Sequence, residues 1–281
     1  MLSFAFIYVF LIGLVIGSFL NCLVWRLYKG ETVGGRSYCP RCHHQLNWYD
    51  NIPLFSFLNL RGRCRHCHHK ISWQYPLGEL ATGILFVLAF WQQLGYVAPD
   101  MNTLGLLFSQ PLFYLRLLFA WLVIALSVIV FIYDCRWFLV SVSVAVYGAI
   151  ACLLFNLAIA WQACGLAPVC FSWQQMILAP AIGIAFFGLQ YILTRGRGLG
   201  AGDIWLGGLI GFMFPSLEKF LLVLFITYII GAASGLTLLA LKLKKLQSKL
   251  PLGIFLALGV VITLLFGQEL LDWYRHLFLG F

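Results

Sequence analysis

Two sets of residues in this 281-residue sequence have types and spacings suited to chemistry. The first is a cysteine set. Cys39 and Cys42 stand in CPRC, and after 21 residues Cys64 and Cys67 stand in CRHC. Each C-x-x-C pair makes a tight knuckle that aims two thiolates at one point. A long spacer lets two knuckles face each other and complete a tetrahedron. This is the ligand set of a zinc ribbon, and zinc is the expected structural metal. A pair of disulfides is the other reading of the same four residues. His43, His44, His66, His68 and His69 crowd the stretch; any one could replace a thiolate, but four cysteines already fill the sphere, so the histidines read as solvated neighbours. A closed four-thiolate site has no open position for water, so it serves structure and the chemistry must lie elsewhere.

The second set is acidic. Asp134 ends the apolar run LVIALSVIVFIYD, and Asp203 follows GLGAG. The glycines Gly200 and Gly202 give the backbone freedom to bend and let another segment approach Asp203 closely. Two carboxylates brought together in a poorly hydrated site share a proton. One then serves as general base on a water while the other polarises a carbonyl. That pairing would hydrolyse peptides. The plain alternative keeps both as interfacial residues, with Asp203 capping its helix and Asp134 paired to Arg136 or Arg195.

The elements that must position these residues are membrane helices. Hydrophobic residues make up 62% of the chain and charged ones 10%, against roughly half and a quarter in soluble domains. Apolar runs long enough to span occur at about 3–25, 76–95, 112–133, 138–162, 174–194, 219–241 and 251–270, with a short glycine-rich run at 203–215 as an eighth. Gly207, Gly208 and Gly211 in that short run suit close helix contact better than lipid exposure. The expected fold is all-α: a first membrane helix over 1–25, a metal-binding loop over 26–75 and a membrane catalytic domain over 76–281. The first segment lacks a basic leader region and reads as a retained helix.

Eight alternating spans put 15 of the 18 lysines and arginines on one side, which is therefore the cytoplasm. Cytoplasmic thiols stay reduced, which argues against disulfides in the metal loop. Glu79, Asp134 and Asp203 then fall at helix ends facing the cytoplasm. The net charge of +9 reads as topology and contact with anionic membrane lipids. No nucleic-acid partner is expected, because basic residues are not interleaved with stacking aromatics outside one small loop. Cys22 and Cys152 read as buried hydrophobes, and Cys164 and Cys170 as unpaired. No internal repeat is evident. Ser18 and Asn21 read as helix-packing donors; Glu79 reads as a charge on a helix dipole or as a contact to substrate or cofactor.

Four stretches carry a resemblance to a known family: GSFLNCLVWRL from Gly17 to Leu27; the segment from Ser37 to Glu79, with both C-x-x-C pairs around DNIPLFSFLNLRGRC and then ISWQYPLGE; Asp134 after its apolar run; and GAGD from Gly200 to Asp203. Together they resemble the type IV prepilin peptidases, membrane aspartic proteases of the GxGD type. The resemblance implies cleavage of the short basic leader of prepilins or pseudopilins after a glycine, at the cytoplasmic face of the bacterial inner membrane. It assigns the dyad to Asp134 and Asp203. In many members it adds N-methylation of the new N-terminus with S-adenosylmethionine. The chain departs from the family pattern at Val140 and Ser141, where a proline-aspartate pair is usual, and at Trp205, where a lysine is usual.

A peptidase without methyl transfer remains open, since no glycine-rich nucleotide fingerprint locates an S-adenosylmethionine site. So do a membrane thiol oxidoreductase using the C-x-x-C pairs and a transporter coupling ions to the aspartates. The first of these needs its cysteines on the oxidising side or beside a quinone. The second needs inverted repeats or paired half-helices, and neither is visible.

Overall fold

A computed structural model describes residues 2–97, 110–164, 173–196, 199–242 and 251–279. Among these residues there is no β-strand, only two isolated bridges, and seven helices are long and apolar enough to cross a membrane. The protein is an all-helical, multi-pass membrane protein. It divides into two compact units, Met1–Gly95 and Tyr96–Phe281.

The first unit pairs α1 (Leu2–Lys29) with α3 (Gln74–Val97). Small residues set their approach. A Cβ at Gly13 would lie 2.7 Å from the Gly83 Cα, and one at Gly17 would lie 2.8 Å from the Glu79 Cα. The falling partner numbers show that the helices run antiparallel. Gly13 and Gly17 form a G-x-x-x-G pair, the spacing that lets two membrane helices touch through backbone. Between them runs the metal loop, with a 3₁₀ turn at Trp48–Asn51 and the short α2 (Phe55–Asn59). Asn21 donates to the Gly17 and Tyr75 carbonyls, the packing role expected of it. Buried Arg26 donates to the carbonyls of Val33, Gly35 and Arg36, which satisfies a cation that lipid could not.

The second unit contains α4 (Pro111–Trp137), α5 (Val142–Cys164), α6 (Trp173–Leu193), α7 (Ala201–Met213), α8 (Leu217–Ala240) and α9 (Leu252–Leu279). The eighth apolar run expected at 203–215 is α7. Its 13 residues rise only roughly 20 Å, too short for a hydrocarbon core of roughly 30 Å. It survives because it is surrounded by protein. Leu206, Leu209, Ile210 and Met213 join one core with Val123 and Leu126 of α4, Ala145 and Cys152 of α5, Phe187 of α6, Phe220 and Val223 of α8 and Leu256 of α9. Gly207 and Gly211 press on α6: a Cβ on Gly207 would sit 2.5 Å from the Gly183 oxygen, and one on Gly211 would sit 2.3 Å from the Pro180 Cα. At the far end, Asn156 donates to the Phe212 carbonyl at 2.8 Å, satisfying an acceptor that the end of α7 leaves over.

Helix α9 continues to Leu279, nine residues past the apolar run that ends at 270. Charged residues extend it through local pairs. Gln268 donates to Asp272, and Arg275 binds both Asp272 and Glu218, so the last turns are water-compatible helix rather than span.

Candidate active site and metal centre

The metal loop folds as two copies of one knuckle. In the first, the Cys39 N–H donates to the His44 carbonyl at 3.0 Å and the His43 N–H donates to the Cys39 carbonyl at 2.9 Å. In the second, Cys64 donates to His69 at 2.9 Å and His68 donates to Cys64 at 3.0 Å. His43 and His68 both take the left-handed conformation, at φ 56° and 53°. The sequence unit is C-x-x-C-H-H, present twice. No internal repeat was expected, yet this one was readable: it is six residues long and hides below the length at which repeats are usually sought. The paired histidines turn the chain back over each knuckle, and His44 and His66 meet ring to ring with centroids 3.7 Å apart.

All four thiol sulfurs lie within 4.8 Å of one another. A tetrahedral zinc site with Zn–S bonds near ~2.3 Å has sulfurs roughly 3.8 Å apart; Cys39 and Cys67 stand at 3.9 Å. The cluster thus fits one tetrahedral metal ion. Its electrostatics call for one. For Cys64, burial pushes the thiol up, but the N–H groups of Cys67 and His66 and the thiols of Cys39 and Cys67 more than reverse this and hold it at about 7. For Cys42, the His44 N–H pulls down, while desolvation and the Cys39 and Cys67 thiols win and push it to about 11. Four sulfurs this close cannot all ionise without a cation between them. Asp50 ties the spacer to the second knuckle by an ion pair with Arg65 at 2.8 Å.

The two aspartates sit in the second unit. Asp134 lies near the end of α4, where its carbonyl accepts the Phe138 N–H at 3.0 Å and Phe138 closes the helix at φ 54°. Its side chain turns to the start of α9 and accepts the Ile254 N–H at 3.2 Å. Gly253 makes room for it, because a Cβ there would meet the Asp134 Oδ2 at 2.8 Å. Asp203 lies in the first turn of α7, and its Oδ2 accepts the Gly200 N–H at 2.9 Å. Each carboxylate therefore occupies a helix N-terminus, where free N–H groups and the helix dipole favour an anion.

These are the two buried acids among the described residues of this unit, 5% and 8% exposed. A carboxylate in an apolar helical body is costly unless paired, hydrated or used. The close approach expected at the glycines is made at Gly202, where a Cβ would lie 2.7 Å from the Val140 Cβ. Gly200, at φ −79°, adopts a backbone open to any residue. Ser141 accepts the Val144 N–H at 3.5 Å and so caps α5, and Trp205 is half exposed on α7.

Sequence reasoning missed Gly253 and the α9 N-terminus. Pro251 ahead of an apolar run signals a helix start, but nothing in it points to a partner 120 residues away. Glu79 was also placed differently. It accepts the Leu54 N–H at 2.9 Å, so it anchors the metal loop to α3. Cys152 is fully buried, as expected. The Cys164–Cys170 pair lies outside the described side chains.

Comparison with known proteins supplies the family. Residues 11–93 match the bacterial peptidase A24 N-terminal domain. A prepilin leader peptidase/N-methyltransferase of Aeromonas hydrophila is 31% identical, covering 96% of this chain and 94% of the relative. One from Bacillus subtilis (strain 168) is 31% identical over the whole of both chains. One from Myxococcus xanthus (strain DK1622) is also 31% identical; the match takes in 83% of this chain but only 63% of that longer relative. No solved structure matches. With likeness of this extent to relatives of the same length, the chain belongs to the prepilin leader peptidase/N-methyltransferase family.

Proposed function

We propose that the chain is an inner-membrane aspartic endopeptidase that cuts the basic leader of prepilins or pseudopilins after a glycine, at the cytoplasmic face, with Asp134 and Asp203 as its dyad. The observation that supports this most is that these two acids are buried in one packed helical unit, each with its carboxylate held by a backbone N–H at the start of a helix. In the proposed reaction the ionised carboxylate takes a proton from water as the water oxygen bonds to the scissile carbonyl carbon. The protonated carboxyl gives its proton to the carbonyl oxygen. Collapse of the tetrahedral intermediate breaks the C–N bond and returns a proton to the leaving amine. The N–H groups of Ile254 and Gly200 hold the two carboxylates in place through the cycle.

Zinc, when bound by Cys39, Cys42, Cys64 and Cys67, supplies a fold-stabilising cross-link and takes no part in hydrolysis. Methylation of the new N-terminus would draw its methyl group from S-adenosylmethionine, and the hydrolytic step needs none of it. Reconstituted protein given a prepilin will release the leader at one peptide bond after a glycine. Intact-mass analysis of the mature product reads both activities at once. An increment of one methyl group marks the transferase, and an uncut prepilin under conditions where the protein is folded overturns the peptidase.

A further inference from the structure

The metal loop carries apolar side chains that its own core does not use. Trp48 is 76% exposed, Phe55 63%, Leu58 71% and Trp73 67%. Phe55 and Leu58 are three residues apart and share one face of α2. Phe57, on another face, packs against Trp73 with ring centroids 4.9 Å apart. A stretch that is otherwise polar thus presents a one-sided apolar helix with a tryptophan at each margin.

Its height along the membrane helices follows from three contacts. Leu54, the residue before α2, gives its N–H to Glu79, and the Glu79 backbone packs on Gly17 of α1, where a Cβ would lie 2.8 Å from the Glu79 Cα. Asn21 bonds the Tyr75 carbonyl. The start of α2 is therefore level with Gly17 to Asn21 of α1, roughly 10 Å inward from Arg26 at ~1.5 Å per residue. Arg26 and Lys29, with Trp25 and Tyr28 beside them, make up the charged and aromatic end that marks a bilayer boundary on a spanning helix. Position for position, α2 begins on the lipid side of that mark.

The connection is fixed, not slack. Leu54 takes φ 59° and ψ −48°, a γ-turn geometry that L residues avoid. The turn is closed by the Phe55 N–H on the Pro53 carbonyl at 2.6 Å, and the Gly62 carbonyl accepts the Ile71 N–H at 2.8 Å behind it. Exposed Arg61, Arg63 and Lys70 follow α2 directly, where they would meet anionic headgroups.

We propose that α2 is an interfacial element: it lies in the headgroup–acyl boundary of the bilayer that α1 and α3 cross, with Phe55, Leu58 and Trp48 in lipid and Arg61, Arg63 and Lys70 on the phosphates. The occupant of the apolar face is lipid because the face is held at membrane depth by a spanning helix of its own unit and is rimmed by cations, the pattern of an interfacial amphipathic helix.

The test uses the full chain in vesicles of phosphatidylcholine and phosphatidylglycerol, with the phosphatidylcholine either plain or brominated near the middle of its acyl chains. Phe55→Trp adds an indole on the proposed face, read as the difference from wild type; Trp48→Phe gives an independent reading by subtraction. Bound zinc and leader cleavage report that each variant is folded. The expected result is a roughly twofold or greater loss of the isolated indole signal in brominated vesicles, with little response to aqueous iodide. Quenching by iodide and not by brominated lipid would place the face in water and overturn the proposal. Shielding from both quenchers would mean that protein covers it. Iodide quenching that disappears when a prepilin is co-reconstituted would make it a substrate-docking surface; either outcome excludes lipid as the occupant.

Discussion

At the scale of single residues, the proposed site depends on how its two carboxylates are held as well as on their presence. Asp134 reaches the N-terminus of α9 only because residue 253 lacks a side chain. Gly253→Ala puts a methyl 2.8 Å from the Asp134 Oδ2, too close for the carboxylate to stay. Its expected effect is a fall in leader-cleavage kcat of about tenfold or more, with thermal stability of the detergent-solubilised protein little changed. Gly202→Ala drives a Cβ into Val140 and should lower kcat by moving Asp203. The same substitution at Gly200 meets no close atom apart from the Asp203 Oδ2 at 3.6 Å and should be mild. A shared-proton pair also predicts a rate that peaks with pH. Below the peak both carboxyls are protonated and no base remains; above it both are ionised and no acid remains. A cleavage profile that rises to a plateau would point to a single titrating group.

At the scale of elements, two devices place the chemistry: the doubled knuckle and the α6–α7 contact. The knuckles converge their sulfurs to metal-bonding distance, so one zinc per chain is expected by elemental analysis. Cys39→Ser or Cys64→Ser should remove it and expose the loop to proteolysis. Because binding displaces thiol protons, apparent zinc affinity should weaken as pH falls, and the Cys64 thiol, held at about 7, adds to that loss below this pH. The α6–α7 contact is backbone on backbone at Gly207 and Gly211. Gly207→Val should cost about 1–3 kcal/mol of stability and reduce activity through the displaced Asp203. A thermal melt that is unchanged would show that α7 is not wedged as described.

Much of this was legible in residue order. The four cysteines, the two aspartates and the eight apolar runs are local patterns, and local patterns survive folding. The knuckle repeat was equally local and was overlooked. Gly207, Gly208 and Gly211 pointed to the close packing of α7, but Gly253 and the Glu79 anchor to Leu54 were not legible. Each is a contact between segments far apart in sequence, and single-chain periodicity carries no record of such partners. The end of α9 lies beyond the apolar run because hydropathy measures where a span stops, not where a helix stops.

At the scale of the molecule, the chain combines a small unit that carries the metal loop with a larger unit that carries Asp134 and Asp203. The orientation proposed from the lysine and arginine bias has the segments around Gly34 and Arg195 facing the cytoplasm and the turn at Ser216 on the opposite side. Alkaline phosphatase fused at Ser216 should therefore be active and at Gly34 inactive; the reverse pattern would invert the proposed orientation. A catalytic centre at the cytoplasmic boundary suits a substrate whose own helix is in the membrane and whose leader is outside it. The central claim is that Asp134 and Asp203 perform the cut. The most direct test compares leader cleavage of a prepilin by wild type, Asp134→Asn and Asp203→Asn, each checked for bound zinc and an unchanged thermal melt. The account predicts that either substitution lowers the rate on the order of a thousandfold in a protein that remains folded. Cleavage at the wild-type rate by either variant would contradict it.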